Sequence, residues 1–303
     1  MKVSVIIPTY NSPKSLYKCL LGFLAQTTRP DQVVVADDGS TQETRDVLNL
    51  PIFGPLALEH FWHEDHGWRR SRVLNEAILR CHHEYVIFCD GDCVPRYDFV
   101  ANHMRHARPG YFVSGNRVNV PQQVHESFTD EMILGNRVFE AERLGESWPD
   151  ALRHTLRLHP GRWEWLLNKL TYRYNVFCGC NSAAWREDLV RVNGFDEEFR
   201  GYGSEDREIG ARLHNAGVRS RWLKYSLVLL HLNHPVRRGP EMDRQNRWRF
   251  RRAFLLGKRW AEVGLDGCGQ GSPAAAPEAR PAAGWAIEPG RGRRRTRFAV
   301  EPF

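Results

Sequence analysis

The chain has 303 residues, 42% apolar and 26% charged, the composition of a globular protein with a sizeable core. No run reaches the ~20 apolar residues of a membrane helix, and the five-residue apolar run Val3–Ile7, ended by Pro8, is too short for the apolar region of a signal peptide. The net charge of +7 sits at the end: from Arg237 onward there are 15 Lys and Arg against 7 Asp and Glu, while residues 1–236 carry 28 against 29, so the basic character says nothing about a nucleic-acid-binding core, and no nucleic-acid partner is expected. These features predict a cytoplasmic protein. The seven cysteines show no paired CxxC spacing and read as reduced thiols, most of them buried.

Val3–Ile7 predicts a strand, closed by Pro8-Thr9-Tyr10-Asn11. Ser12 as N-cap and Pro13 at the first helical position open a helix. Its Leu16, Cys19, Leu20, Phe23 and Leu24 repeat at helical spacing. Val33–Ala36 predicts a second strand, followed at once by Asp37-Asp38-Gly39-Ser40. Thr41–Leu48 reads as a short helix, Leu56–Trp62 as a weak strand and Trp68–Arg80 as a helix. Tyr85–Cys89 is a buried strand that ends on Asp90-Gly91-Asp92. Strands alternating with helices predict an α/β fold with a Rossmann-like, mostly parallel sheet flanked by helices. Tyr10, Asp38 and Asp90 then emerge at one edge, where open α/β sheets collect ligands.

That edge suits a nucleotide. An Asp accepts the imide N–H of uracil, and a Tyr stacks on the base. Two carboxylates that close repel each other unless a cation lies between them, and Mg²⁺ or Mn²⁺ takes oxygen ligands and bridges to phosphates. Gly91 is expected to let the backbone turn sharply. Asp-Gly-Asp is also an ordinary solvated turn. Arg69, Arg70 and Arg72 open the preceding helix. Their forked donors match pyrophosphate. At a helix start they oppose the dipole, which favours an anionic partner over a merely solvated face.

In order, VSVIIPTYN, VVVADDGS, HGWRRSRVLNEAI and FCDGDCVP resemble glycosyltransferase family 2 and its GT-A fold over about the first hundred residues. The resemblance implies a nucleotide-sugar donor, most simply a UDP-sugar. It implies that Asp38 holds the base beside Pro8 and Tyr10, and that Arg69 and Arg72 face the diphosphate. It also implies a DxD motif at Asp90, Gly91 and Asp92, with Asp90 on the ribose or sugar and Asp92 on the metal.

Tyr111–Gly115 predicts a strand, and the stretch to Asn175 carries no specific motif. Trp163 and Trp165 fit either sugar stacking or core packing, with core packing expected. Asn175–Trp185, then Asn193-Gly194-Phe195-Asp196-Glu197, then Phe199–Asp206 opening an amphipathic helix, resemble the galactosyltransferase-like members, including chondroitin polymerases and β-1,4-galactosyltransferases. This implies that Asp206 is the catalytic base and that Glu205, with Tyr202 and Gly203, holds the acceptor. Tyr202 and Ser204 stand where many relatives have Trp and Gly. Acidic residues are favoured at helix starts in any case, and both roles can hold together. Arg219–Leu230 predicts one or two strands, followed by His231 and His234. Imidazole suits Mn²⁺ better than Mg²⁺, and the relatives have a ligand pair here, so the implied cofactor is Mn²⁺ or Mg²⁺ on Asp92, His231 and His234.

The expected organisation is a catalytic domain over 1–236, with a nucleotide-sugar half at 1–100 and an acceptor half at 101–236. A basic amphipathic helix over 237–266 and a disordered tail over 267–303 follow. Segment 241–260 interleaves Arg with Trp248, Phe250 and Trp260. It fits either an anionic membrane surface, where lipid-linked glycans are built on the inner face, or packing on the catalytic domain. The expected activity is inverting, metal-dependent transfer of a hexosyl or N-acetylhexosaminyl group to a glycan hydroxyl in surface polysaccharide or lipopolysaccharide synthesis. Two rivals are weighed. A sugar nucleotidyltransferase needs a Gly-rich basic loop after the first strand, and Pro8–Asn11 is not one. An inactive glycan-binding protein would have lost the DxD or the base, and both are intact.

Overall fold

The computed structural model describes residues 1–140, 163–170, 177–234 and 240–268. The chain opens with β1 (Val3–Thr9), α1 (Pro13–Leu24), β2 (Gln32–Asp37), α2 (Gln42–Leu48), β3 (Leu58–Trp62), α3 (Arg70–Arg80) and β4 (Tyr85–Phe88). Next come β5 (Cys93–Pro95), α4 (Phe99–His106), β6 (Tyr111–Ser114), β7 (Asn116–Val120), α5 (Gln122–Glu126) and α6 (Asp130–Leu134). The remaining elements are α7 (Glu164–Leu170), β8 (Ser182–Trp185), α8 (Arg186–Arg191), α9 (Glu205–Asn215), β9 (Arg219–Trp222), β10 (Val228–Leu232) and α10 (Pro240–Leu255).

The main sheet has the order β3-β2-β1-β4-β8-β6-β9. β3, β2, β1 and β4 are parallel, β8 runs antiparallel between β4 and β6, and β9 is parallel to β6. Alternation along β1 divides the core. Val5 and Ile7 join Leu16, Leu20 and Phe23 of α1 on one face. Ile6 joins Val73, Ala77 and Ile78 of α3, Phe195, and Ile209 and Leu213 of α9 on the other. A sheet covered on both faces makes its strands near-continuous apolar runs, as the sequence reads. The fold is the mixed α/β architecture expected. α3 starts at Arg70, two residues later than the periodicity suggests, because Arg69 keeps a non-helical backbone.

A second sheet, β5-β10-β7, sets the far wall. Its register places His231 opposite Cys93, and Leu232 N–H donates to Asp92 O at 2.9 Å, so β10 ends beside the DGD turn. α9 is anchored by a buried pair: Arg212 donates through Nε and Nη2 to the two Glu208 oxygens, each at 2.7 Å, and both residues are essentially inaccessible.

Trp163 and Trp165 are not core residues: Trp165 is 70% exposed. α7 instead packs through Glu164, which accepts from Arg105 and Ser226, and through Asn168, which bonds Ser226 and Tyr225. The indoles are left on the outside. α10 packs on α9, with Asn246 and Ala253 buried. Gly267 ends a short 3-10 turn (Leu265–Gly267), and Cys268 follows it, buried. The tail expected beyond them, and most of 141–176, lie outside the described residues.

Candidate active site

The site starts where β1, β2 and β4 stop. Because these strands are parallel neighbours, Tyr10, Asp38 and Asp90 leave the sheet at one edge. Asp38 is buried. Its Oδ1 lies 2.7 Å from His63 Nε2, and its Oδ2 accepts from Arg69 N–H at 3.0 Å. Burial raises its pKa, and these partners partly offset the rise. Tyr10 is half-exposed and donates to Asp65 Oδ2 at 2.8 Å.

The backbone turns at Gly91 as expected, closed by Cys93 N–H donating to Asp90 O at 3.0 Å, but glycine serves there for space and not for a special backbone angle. Its φ is not in the left-handed region, whereas a Cβ there would lie 3.0 Å from Pro8 O of β1, which accepts the Gly91 N–H at 3.1 Å.

The arginines of α3 divide differently from the expectation. The Arg69 guanidinium donates to Glu64 O, and Arg72 pairs with Glu197 at 3.3 Å and Glu76 at 3.7 Å. Neither guanidinium is aimed at the carboxylate cluster: Arg69 is held by the loop before α3, and Arg72 by Glu76 of its own helix and by Glu197 beyond α8. Arg70 is. Its Nη2 lies 2.5 Å from Asp90 Oδ1 and its Nε 3.5 Å from Glu205 Oε1. One cation thus joins the DGD turn to the start of α9. Burial pushes Asp90 up to about 6 despite Arg70. Burial, with Asp206 next to it, pushes Glu205 up to about 7.

Asp206 is also held from the opposite wall. Its Oδ2 accepts from Gly179 N–H at 3.2 Å and its Oδ1 from Arg207 N–H at 2.7 Å. Burial raises its pKa, and these N–H groups oppose the rise. Glu205 Oε2 is buried with no partner among the described residues. The loop before α9 carries Gly201, Gly203 and Ser204 at positive φ. Ser204, at φ 74°, is thus strained where glycine would not be. Tyr202 in that loop meets Trp68 edge-on, ring centroids 6.5 Å apart.

Asp92 faces the other way. Its Oδ2 is 2.8 Å from His234 Nε2 and 3.5 Å from His231 Nε2, and one ligand atom from each of the three falls within 4.8 Å of the others. Burial alone would raise the Asp92 pKa; the two imidazoles outweigh it and hold it well below the carboxylate range. One carboxylate oxygen and two imidazole nitrogens fit a divalent cation of the Mn²⁺ type. His231 Nδ1 is buried and unpartnered among the described residues.

The sequence reading did not single out His63, Asp65, Gly179 or Arg70 for these contacts. Arg117 of β7, close to Cys178, Cys180 and Tyr202, was missed as well. A lone Arg inside a strand carries no spacing signal. Arg70 lay in the arginine run already noted, where only helix phase separates it from its neighbours.

Comparison with known proteins agrees with this geometry. The model for "Glycosyl transferase family 2" matches residues 4–187, and that for "N-terminal domain of galactosyltransferase" matches 166–235. Validoxylamine A glucosyltransferase of Streptomyces hygroscopicus subsp. limoneus is 32% identical over 235 residues, covering 71% of this chain and 48% of the relative. The chain therefore spans about half the length of that curated relative. Among solved structures, the mannosyltransferase PcManGT of Pyrobaculum calidifontis, in complex with GDP-Man and Mn²⁺, is 23% identical with a TM-score of 0.51. The match covers 85% of this chain and 62% of that one. TarS 1–349 of S. aureus with UDP-GlcNAc is 19% identical with a TM-score of 0.55, covering 88% and 69%. The fold shared with these structures is GT-A.

Proposed function

Because the chain belongs to glycosyl transferase family 2, with a galactosyltransferase-like C-terminal region, we propose that it transfers a sugar from a UDP-sugar to a glycan hydroxyl with inversion. The observation that carries this reading is the Arg70 guanidinium shared by Asp90 and Glu205, which ties the DGD turn and the start of α9 to one cleft. The two solved neighbours hold GDP-Man and UDP-GlcNAc. Asp38, beside Tyr10 at the strand edge, suits the imide of uracil.

In this reading Asp206 accepts the proton of the acceptor hydroxyl as general base. The oxygen attacks the anomeric carbon from the face opposite the departing diphosphate, and the configuration inverts. Glu205 Oε2 receives a second acceptor hydroxyl, and Tyr202 with Trp68 offers a face to the sugar ring. Arg70 fixes the carboxylates and supplies positive charge near the departing group. Asp92, His231 and His234 would hold Mn²⁺, whose charge stabilises the leaving diphosphate when bound.

The acceptor belongs to surface polysaccharide or lipopolysaccharide synthesis in this proposal, with α10 resting on an anionic membrane. The outer face of α10 supports the docking. Arg244, Arg251, Trp248 and Leu255 share one side of the helix, opposite the buried Asn246 and Ala253. Trp248 is 60% and Leu255 78% exposed. Basic residues around exposed aromatic and aliphatic groups match an anionic lipid surface.

The test is nucleotide release. Purified protein with Mn²⁺, a panel of nucleotide sugars and glycan acceptors should release UDP, and NMR of the product should show the inverted anomer. Pyrophosphate release from UTP and a sugar phosphate would favour the nucleotidyltransferase instead. Glycan binding without turnover would favour the inactive binder.

A further inference from the structure

Cys178 and Cys180 flank Gly179, whose N–H donates to Asp206 Oδ2. Their sulfurs lie 3.5 Å apart, and no disulfide joins them. Cys178 is partly exposed and Cys180 buried. The turn is pinned at both ends: Asn181 N–H donates to Cys178 O at 2.8 Å, and Cys178 N–H donates to Ser182 Oγ at 2.7 Å. Asn181 is fixed further by donating its side-chain amide to Asn116 O and Leu227 O. An S–S bond is about 2.0 Å long, so closure must draw the two Cβ arms together. With the ends pinned, the peptide left to adjust is that of Gly179. A Cβ at Gly179 would sit 3.4 Å from Asp206 Cβ, ordinary contact distance, so this peptide lies directly beside the acid and its movement alters the hydrogen bond between them.

We infer that Cys178 and Cys180 are a reversible oxidation site: closing their disulfide pulls the Gly179 N–H off Asp206 and switches transfer off. This rests on the reading of Asp206 as general base. The oxidant is a small-molecule disulfide, such as oxidised glutathione. Cys178, the partly exposed member of the pair, attacks one sulfur of that disulfide, and the first thiol leaves with the proton from Cys178. Cys180 then attacks the Cys178 sulfur of the mixed disulfide, and the second thiol leaves with the proton from Cys180. The protein loses two electrons and two protons, and one disulfide becomes two thiols. A ring closed over a single intervening residue is strained and easily reduced, as befits a reversible switch.

The test compares reduced and oxidised full-length protein. Peptide mapping without reductant should find Cys178 and Cys180 joined. Turnover at saturating donor should fall by ~10- to 100-fold, the range set by a misplaced catalytic group. Binding of UDP with Mn²⁺ should stay unchanged, and dithiothreitol should restore activity. Cys178→Ser should keep its basal activity and lose the response, while Cys93→Ser, which removes the other thiol in hydrogen-bond contact with Cys180, should keep the response. A Cys93–Cys180 bridge in the mapping, or an oxidised Cys178→Ser that loses activity as the parent does, overturns the site. A mapped Cys178–Cys180 bridge with unchanged turnover overturns its coupling to Asp206. Failure of the base reading shows separately, as normal turnover in reduced Asp206→Asn.

Discussion

Arg70 Nη2 lies 2.5 Å from Asp90 Oδ1, and the same guanidinium reaches Glu205, so residues 115 positions apart in the chain share one cation. Replacing Arg70 with Met leaves both acids without it. Asp90 and Glu205, already at about 6 and 7 through burial, then rise further. A one-unit rise is about tenfold in ionised fraction. Turnover of Arg70→Met at pH 7 should drop at least ~10-fold, with the acid limb of its pH profile moved upward. Arg70→Lys should recover part of this. An unshifted limb in the Met variant would separate Arg70 from the acids' chemistry.

Asp206→Asn removes the proposed base and leaves the donor side intact. Transfer should fall at least ~100-fold, the low end for general-base catalysis, while UDP–Mn²⁺ binding by calorimetry is unchanged. A base works deprotonated. Since burial lifts Asp206, turnover of the parent should decline as pH falls, with its midpoint above the ordinary aspartate value of 3.8.

The proposed metal site of Asp92, His231 and His234 predicts metal dependence. Chelation should abolish transfer, and Mn²⁺ should restore it better than Mg²⁺. His231→Ala or His234→Ala should raise the Mn²⁺ concentration for half-maximal activity by ~10-fold or more, since even indirect supporting partners of metal ligands are worth 10- to 100-fold. Paramagnetic resonance of free Mn²⁺ gives the affinity independently of activity.

Glu208→Ala strands the Arg212 charge in the core. Urea unfolding should show a loss of about 3–5 kcal/mol, the cost of breaking a buried pair. A loss below ~1 kcal/mol, as for an exposed pair, would mean that water reaches Arg212.

The outer face of α10 is testable by flotation. The protein should co-float with phosphatidylglycerol vesicles at low salt and not with phosphatidylcholine. Each basic residue near such a surface contributes about 1 kcal/mol, so Arg244→Glu with Arg251→Glu should cut the bound fraction at least ~10-fold. Unchanged flotation would rule out this face.

The βα alternation and the strand-end acids were legible because local patterns set them: apolar runs mark strands, and whatever follows them must surface at one edge. The closeness of His231 to Asp92 is a matter of β10–β5 register, which spacing does not reveal; only the resemblance pointed to it. The choice of Arg70 over Arg69 and Arg72 was illegible because it depends on where α3 begins to wind. Trp163 and Trp165 misled because an indole says nothing about which side of a short helix its polar neighbours will claim.

β8 carries Ser182–Trp185 yet sits hydrogen-bonded between β4 and β6. A late segment is thereby stitched into the middle of an early sheet. Chimeras that graft a new acceptor specificity onto this nucleotide platform therefore cannot be spliced at residue 100 alone; the crossover must bring its own β8, or the recipient sheet is left with a gap beside the strand that ends in the DGD turn.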